Sequence, residues 1–486
     1  MHPAVPRGAS TLFLGATLAA TLVALVVGCS NDDDGAGGKN TPSAAQVANG
    51  GAGTVTPVPL AMPGFPVDSA TINGWINNPA GPDSAQIRAH AWAIWAGLTQ
   101  RTSQMVDSDS LPVYETWPNA AQVFDSVPPA AASGTAQTLV RDLHVPRQFG
   151  HSQVAQVRAR RTGAREGLSL PNPGVRSDSA LVMVTVSYNT AAESHIWQNG
   201  YYQQSTLDSL NKYFDTTSTP TPVANRNIVA FPNNAVALKP TYLPVAADGL
   251  TVLPYWAGPL ASTDTAMPDI NTWTQCVAVD PTNQRVGQTV SVKCNTQDGV
   301  QAVVVGLDQF YSFTLDTAEA VAFYQGGAGT MQVNRDTWRG TDSVTAGDYG
   351  VLVAMHVTTK EISNWTWQTF WWTPNWQQNP LANDQPATVT GAFQNYAMKT
   401  AYYMTVPNGP AQGQNEVTFN PYLEPDLAPQ GKLSNCMTCH RAAIWNTNQP
   451  YSKFFGNLSP SDPYFNGVTK VDFLWSIPGN AVASTQ

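Results

Sequence analysis

The sequence predicts an α+β fold rich in β-structure. An antiparallel sheet or sandwich forms the predicted body, with a helix in its N-terminal part and a helical segment near the C-terminus. Two observations lead to this fold class. Helical periodicity is confined to short stretches, whereas β-branched runs bounded by Pro, Gly and Asn recur from residue 180 onward. The 37 Pro and 37 Gly residues indicate a chain with many turns.

A targeting segment comes first, over residues 1–28. Arg7 precedes an apolar run that ends at Gly28, and Cys follows at position 29. The run is too short for a membrane span and is typical of a secretion signal. Its end, Leu-Val-Val-Gly-Cys, is similar to the site at which bacterial lipoproteins are cleaved and acylated, so Cys29 is the predicted lipidation site. The alternative is an ordinary signal peptide with an incidental Cys.

Residues 29–67 are predicted to form a flexible tether, because Gly, Ser, Pro and Asp dominate and apolar residues are few. Lipid on Cys29 would anchor such a tether to a membrane, since several acyl chains bind more firmly than one. The predicted location is the periplasm. The residue after Cys29 is Ser30 and not Asp, which is similar to the sequence of outer-membrane lipoproteins at this position.

The body is predicted to span residues 68–425. A helix over 85–98 begins after Pro82-Asp-Ser84 and repeats apolar residues at helical spacing, and a second short helix is predicted over 205–214. Between and after them lie the predicted strands, at 181–188, 235–238, 249–253, 301–305, 349–356 and 364–372. Alternation along the last strand would place Trp365, Trp367 and Trp371 on one face.

Cys276 and Cys294 are predicted to form a disulfide. They are the pair left after Cys29 and the two C-terminal cysteines are set aside, and an oxidising compartment favours their pairing. They lie in two β-like runs joined by a turn-rich stretch at 280–284. We therefore expect a disulfide across a hairpin, with a stabilisation of about 3 kcal/mol on the loop-entropy model.

The segment 426–486 contains the most specific motif of the chain, Cys436-Met-Thr-Cys439-His440. Two Cys two residues apart followed by His is the attachment signature of haem c. The two thiols bind the vinyl groups of the porphyrin, and the imidazole of His440 becomes the proximal iron ligand. A thioredoxin-like redox pair and half of a zinc site are the alternatives. One covalently attached haem is predicted.

The sixth ligand of the iron cannot follow the motif as Met or His, because residues 441–486 contain neither. It comes from upstream, or the iron position is open. The candidates are His356, which ends an apolar run, and the two methionines closest before the motif, Met398 and Met404.

Several short motifs occur in order along the chain, namely Trp92-Ala-Ile-Trp95, Tyr114-Glu-Thr-Trp117, Leu238-Lys-Pro240, Met355-His-Val357, Trp365-Thr-Trp-Gln-Thr-Phe370, Asn420-Pro-Tyr-Leu-Glu424 and the haem motif. Together they resemble a family of bacterial periplasmic single-haem cytochrome c proteins whose function is not established. The resemblance implies haem on Cys436, Cys439 and His440. The chain departs from the family at Trp371 and Trp372, where Glu and His would be expected, which argues against a carboxylate or imidazole role there.

Two functions follow from these features. One is a membrane-tethered cytochrome with a six-coordinate haem that transfers single electrons, which implies a redox partner protein. The other is a haem enzyme or sensor whose open iron acts on a small ligand such as peroxide or a nitrogen oxide. The net charge of −9 argues against nucleic acid as a partner. The arginines at positions 158, 160, 161 and 165 form either a solvated loop or a docking site for an acidic redox partner.

Overall fold

The computed structural model describes residues 53–106, 109–125, 135–146, 182–216, 221–257, 270, 273–402, 418–424, 436–445 and 458–483, without the side chains of 437 and 438. All of them belong to one compact unit, Ala44–Gln486. The predicted α+β, β-rich fold class is confirmed. The predicted signal peptide, Cys29 and the arginine cluster lie outside the described residues.

The helices are α1 (Ser69–Ile76), α2 (Ser84–Thr99), α3 (Ala120–Val123), α4 (Thr190–Gln198), α5 (Gln204–Thr216), α6 (Thr317–Gly326), α7 (Cys436–His440) and α8 (Ser476–Asn480). The first strands are β1 (Thr54–Val55), β2 (Arg101–Val106), β3 (Asp109–Pro112), β4 (Gln137–Thr138), β5 (Met183–Val184), β6 (Ser187–Tyr188), β7 (Val236–Val245), β8 (Leu250–Pro254) and β9 (Cys276–Asp280). The later strands are β10 (Thr289–Cys294), β11 (Gln297–Gly306), β12 (Ser312–Thr314), β13 (Thr330–Arg335), β14 (Trp338–Ser343), β15 (Tyr349–Thr359), β16 (Thr366–Trp372), β17 (Tyr396–Tyr402), β18 (Ile444–Trp445) and β19 (Thr469–Lys470). Within the described part of the chain, none of the helices has the length and apolar character that a membrane crossing requires.

Two larger sheets form the body. The central sheet has seven strands in the order β17-β16-β15-β7-β5, with β12 on β15 and β6 on β7, and all its pairs are antiparallel. The second sheet has six strands in the order β10-β11-β9-β8-β13-β14, and its β11–β9 pair is parallel. Small two-stranded pairs complete the structure. The pair β18–β19 lies in the C-terminal segment, of which residues 436–445 and 458–483 are described.

Helix α2 packs on one face of the central sheet. Its Asp83 N-cap accepts a hydrogen bond from the backbone N–H of Gln86, which satisfies a free donor of the first turn. Trp92 and Trp95 then bury their rings against Phe370 of β16, with the centroids of Trp95 and Phe370 4.2 Å apart. This aromatic contact is part of the main core and is the reason that α2 is buried along much of its length.

The predicted tether ends earlier than residue 67. From residue 53 the chain is part of the body: Thr54 and Val55 pair with β4, and Val55 and Leu60 are buried. The backbone N–H of Val67 donates to Glu361 Oε1 at 2.7 Å. The predicted boundary is too late because a few buried apolar side chains, such as Val55 and Leu60, suffice to dock a segment rich in Pro and Gly.

Cys276 and Cys294 form the predicted disulfide, with their Cα atoms 5.8 Å apart. The predicted hairpin is wrong. Strand β11 lies between β9 and β10, pairing antiparallel with β10 and parallel with β9. The turn-rich stretch therefore does not join paired neighbours, and the disulfide instead links two strands that a third strand separates.

The other element predictions differ mainly at their ends. Both predicted helices are present as α2 and α5, each slightly longer than predicted. The single strand predicted over 181–188 is divided into β5 and β6. The chain from Trp365 is not all strand, because Trp365 has a φ of 61° and β16 begins at Thr366. Alternation consequently does not reach Trp365.

Candidate functional site

The predicted haem motif forms α7, a single helical turn from Cys436 to His440. Neither Cys436 nor Cys439 is part of the disulfide that the described residues form. The indole N–H of Trp475 donates to the Cys439 carbonyl at 3.0 Å, which fastens this turn to the later part of the C-terminal segment. The thiols are thus placed within one short turn, as attachment to one porphyrin edge requires.

His440 is oriented by the C-terminal segment and by the central sheet. Its Nδ1–H donates to the carbonyl of Phe473 at 2.7 Å. Its ring contacts the indole of Trp367 in β16, with centroids 4.1 Å apart. A hydrogen bond at one imidazole nitrogen determines which nitrogen remains for a metal. Here Nε2 is the nitrogen left for iron.

The C-terminal segment and the central sheet share a core on this face. Ala237 of β7, Trp367 of β16 and Ala401 of β17 lie in one cross-strand row, with Thr358 of β15 between the first two. All three belong to the same buried cluster as Trp445 and Leu474. The described part of the predicted haem segment is therefore packed on the body.

A row of polar residues crosses the same face next to Trp367. Lys239, His356, Thr369 and Lys399 are directly opposite one another on β7, β15, β16 and β17. Cross-strand partners point to the same face, and residues two positions apart share it. This polar row therefore lies on the face that carries Trp367 and, through it, α7.

The polar row is also where this sheet face is open. Lys239 is half-buried and all remaining residues of β7 are buried. Likewise Lys399 is half-buried and all remaining residues of β17 are buried. The side chain of His356 is 22 % exposed. The half-buried lysines show that this row is accessible, and α7 contacts the same sheet face through Trp367 and His440.

His356 is paired with a carboxylate. Its Nε2 lies 2.5 Å from Glu424 Oε1, and the side chain of Glu424 is 18 % exposed. The second oxygen of Glu424 accepts the backbone N–H of Asn420, whose amide in turn donates to Thr369 Oγ1 of the polar row at 2.8 Å. The Asn420–Glu424 turn is thus fastened over the row. It holds a carboxylate–imidazole pair of the kind that catalytic and metal sites use.

The surroundings of His440 keep its imidazole neutral. Burial is the main cause that lowers the pKa of His440 to about 4; His356 and Lys239 act in the same direction, and the Phe473 carbonyl and Glu424 act in the opposite direction. His440 is therefore neutral at neutral pH, as a metal-binding imidazole must be. Burial also raises the pKa of the Cys436 thiol, with a further contribution from Glu424.

The residues around the motif fit a covalently bound haem. Two cysteines that are not disulfide-bonded share a helical turn with an oriented, neutral imidazole that contacts an indole. Beside them an otherwise buried sheet face opens at a row with two lysines, which suit the two propionates of a haem. His356 is the candidate sixth ligand that the fold brings to this face.

Met398 is not placed as a sixth ligand. It is opposite Phe370 on β16, so both point toward α2 and away from the face of His356 and Trp367. Met398 is fully buried, and Arg88 Nη1 lies 4.0 Å from its sulfur. This candidate was wrong because proximity in sequence to the motif says nothing about the sheet face. Met404 lies outside the described residues.

Two of the three tryptophans predicted to share a face do so, because Trp367 and Trp371 are four positions apart in β16. Trp367 contacts His440, whereas Trp371 belongs to the main core. Trp365 precedes the strand and packs on Phe231, with centroids 5.5 Å apart. Of the three, Trp367 is the one whose ring contacts the motif among the described residues.

Two other acidic or imidazole groups of the sequence have structural roles. Glu115 is buried, accepts from Arg141 Nε at 2.8 Å and from the Tyr242 hydroxyl at 3.0 Å, and lines a cavity of about 10 Å³. His195 lies at 3.0 Å from the Val229 carbonyl.

Sequence reasoning missed Glu424 and Phe473. Glu424 is 68 residues from His356, and its role follows only from the fold of the 418–424 turn over β15 and β16. Phe473 acts through its backbone carbonyl, which no side-chain pattern reports. Lys239 could have been noticed as a charged residue inside an apolar β-run.

Comparisons with known proteins add no relative: no protein-family model, no curated protein and no solved structure matches the chain.

Proposed function

We propose that this protein is a single-haem c-type cytochrome that transfers single electrons. Cys436 and Cys439 hold the haem covalently, and His440 is the proximal ligand. The observation that carries the proposal is the hydrogen bond from His440 Nδ1 to the Phe473 carbonyl, within a turn that also bears two cysteines outside the disulfide. Bound haem supplies an iron centre that gains and loses one electron.

The polar row supports His356 as the sixth ligand of the iron. His356 has its Nε2 on Glu424, which leaves Nδ1 for a ligand, and an imidazole bound to metal commonly has a carboxylate on its other nitrogen. Lys239 and Lys399 lie on either side of His356 and Thr369 in the row and provide positive charge for the propionates. In this arrangement His356 would be the sixth ligand of a bound haem.

A haem enzyme or sensor is the second candidate, and the His356–Glu424 pair favours it. An imidazole hydrogen-bonded to a carboxylate can accept or donate a proton. If Glu424 keeps hold of Nε2 and His356 stays off the iron, the pair faces an open iron position. The substrate would then be a small ligand that gains or loses protons, such as peroxide or a nitrogen oxide.

Replacing His356 with Ala distinguishes the two functions. If His356 is the sixth ligand, the wild-type haem is low-spin and does not bind carbon monoxide at once, whereas His356→Ala is high-spin and binds it. Ultraviolet–visible spectra of the oxidised and reduced proteins, with and without carbon monoxide, measure both properties. Glu424→Gln should keep the haem low-spin, because Gln can still bond to the imidazole.

The matched control is His144→Ala, since His144 is a partly exposed imidazole that pairs with the Asp142 backbone carbonyl, 2.8 Å away. Its spectra should equal those of the wild type. A wild-type haem that is high-spin and binds carbon monoxide at once would contradict the six-coordinate proposal and support the enzyme or sensor. A sulfur charge-transfer band near ~695 nm in the oxidised wild type would instead indicate a Met ligand.

We also propose that lipid on Cys29 attaches the cytochrome to the periplasmic side of the outer membrane. There it exchanges electrons with a partner protein. Support comes from the signal-like residues 1–28 and the Cys that follows. Cys29→Ser is expected to move the protein from the membrane fraction or to leave its signal uncleaved. Wild-type protein that is fully soluble after cleavage would contradict the lipid anchor.

A further inference from the structure

Two consecutive residues with left-handed backbone lie at the proximal histidine. Asp472 has a φ of 47° and Phe473 a φ of 69°, and neither is Gly. Such conformations are costly for ordinary residues, and for a bulky residue such as Phe they are outliers that persist only when surrounding contacts impose them. Phe473 is the residue whose carbonyl accepts the Nδ1–H of His440. The strained turn therefore directs this carbonyl.

The side chain of Asp472 is held from two directions. Its Oδ1 accepts from Lys360 Nζ at 2.6 Å, and its Oδ2 accepts from the backbone N–H of Phe231 at 3.0 Å. Both partners belong to the body, whereas Asp472 belongs to the C-terminal segment. The carboxylate thus joins the two immediately before Phe473.

Lys360 is committed to this contact. Its side chain is only 7 % exposed, and its Nζ also donates to the Ser363 carbonyl at 2.8 Å and lies 5.3 Å from the Trp365 ring centroid. A buried ion pair is expensive to form and constrains geometry. Here the constrained geometry is that of the turn at Asp472 and Phe473.

We propose that the Lys360–Asp472 ion pair is a positioning device that holds the Phe473 carbonyl on His440 and thereby lowers the reduction potential of the haem. The inference rests on the proposed function. A carbonyl that accepts the Nδ1–H makes the imidazole a stronger donor to iron. A stronger donor favours the oxidised form, so loosening the carbonyl raises the potential.

A double variant, Lys360→Met with Asp472→Asn, separates positioning from simple charge. It removes the ion pair without changing the net charge, and neutral replacement of a buried pair is often tolerated by the fold. The expected result is a potential raised by at least about threefold in the one-electron equilibrium constant, or about 28 mV. If Lys360 and Asp472 acted only as charges, their effects would cancel and the potential would not move.

The single variants sharpen the test. Positioning predicts that Lys360→Met and Asp472→Asn both raise the potential. A pure charge effect predicts that Lys360→Met lowers it, because a positive charge is lost. Lys360→Arg, which can restore the ion pair, should return the potential toward the wild-type value.

The matched control is the double variant Arg226→Met with Asp215→Asn. This ion pair, at 2.7 Å, also lies where the body meets the C-terminal segment, since Arg226 Nε donates to the Val468 carbonyl. It has no contact with Asp472 among the hydrogen bonds and ion pairs of the described residues. Its removal should leave the potential unchanged.

Proton NMR of the oxidised proteins supplies a second readout, because the haem methyl resonances depend on the orientation of the axial imidazole. Their pattern should change in the Lys360 and Asp472 variants and stay constant in the control. If the double variant does not fold, the haem methyl resonances of Asp472→Asn test the inference instead. Asn tolerates a left-handed backbone, so this single variant keeps the turn. An unchanged potential and methyl pattern in folded variants would overturn the inference, whereas a wild type without haem would refute the proposed function itself.

Discussion

A variant with both Cys436 and Cys439 replaced by Ala is expected to carry no covalently bound haem. Two thioether bonds are the only covalent links that the motif would provide, and His440 alone would bind haem reversibly. Haem staining of a denaturing gel, with protein produced alongside a haem-attachment system, measures the effect. The wild-type band should stain, and the band of the double variant should not.

The control for this experiment is the other cysteine pair. Cys276 and Cys294 are bonded to each other in the second sheet, so a Cys276→Ala, Cys294→Ala variant should keep its haem stain even if it is less stable. Staining that disappears with this second pair and persists without Cys436 and Cys439 would contradict the assigned attachment site.

Phe370→Ala is expected to lower the free energy of unfolding by about 3–5 kcal/mol. Phe370 is fully buried between α2 and the central sheet, where its ring meets Trp92 and Trp95 at centroid distances of 5.6 Å and 4.2 Å. Truncation leaves a cavity that two rigid indoles cannot fill. Since domains are stable by only about 5–15 kcal/mol, the loss should be evident in chemical denaturation followed by circular dichroism.

Tyr213→Ala is the matched control for Phe370, as it also removes an aromatic ring but from a side chain on α5 that is 61 % exposed. Its unfolding free energy should stay within about 0.5 kcal/mol of the wild type. Equal losses in the two variants would mean that the contact of α2 with the central sheet is not the core of the fold.

The fold class and several elements could be predicted because their signals are local. The helix over 84–99 has apolar residues at helical spacing and an Asp cap, and the strand at 349–359 is a β-branched run. The disulfide could be predicted by counting cysteines and expecting an oxidising compartment. Its strand neighbours could not be predicted, because insertion of β11 between β9 and β10 depends on pairing between distant parts of the chain.

The candidate site could be predicted only where its residues are close together in the sequence. Cys436, Cys439 and His440 form such a motif, and His356 was a candidate because of its apolar strand. The faces of the strands decided the rest: alternation puts His356 on the face that carries Trp367 and Met398 on the opposite face. Glu424 and the Phe473 carbonyl reach the site through long-range packing and backbone conformation, neither of which leaves a pattern in the sequence.

The most direct test of haem attachment at this motif is the intact mass of the purified wild-type protein under denaturing conditions, followed by mass analysis of its proteolytic peptides. The account predicts one added haem per chain, carried by the peptide that contains Cys436 and Cys439. A mass equal to that of the processed polypeptide alone, from cells that attach haem to other cytochromes, would contradict it.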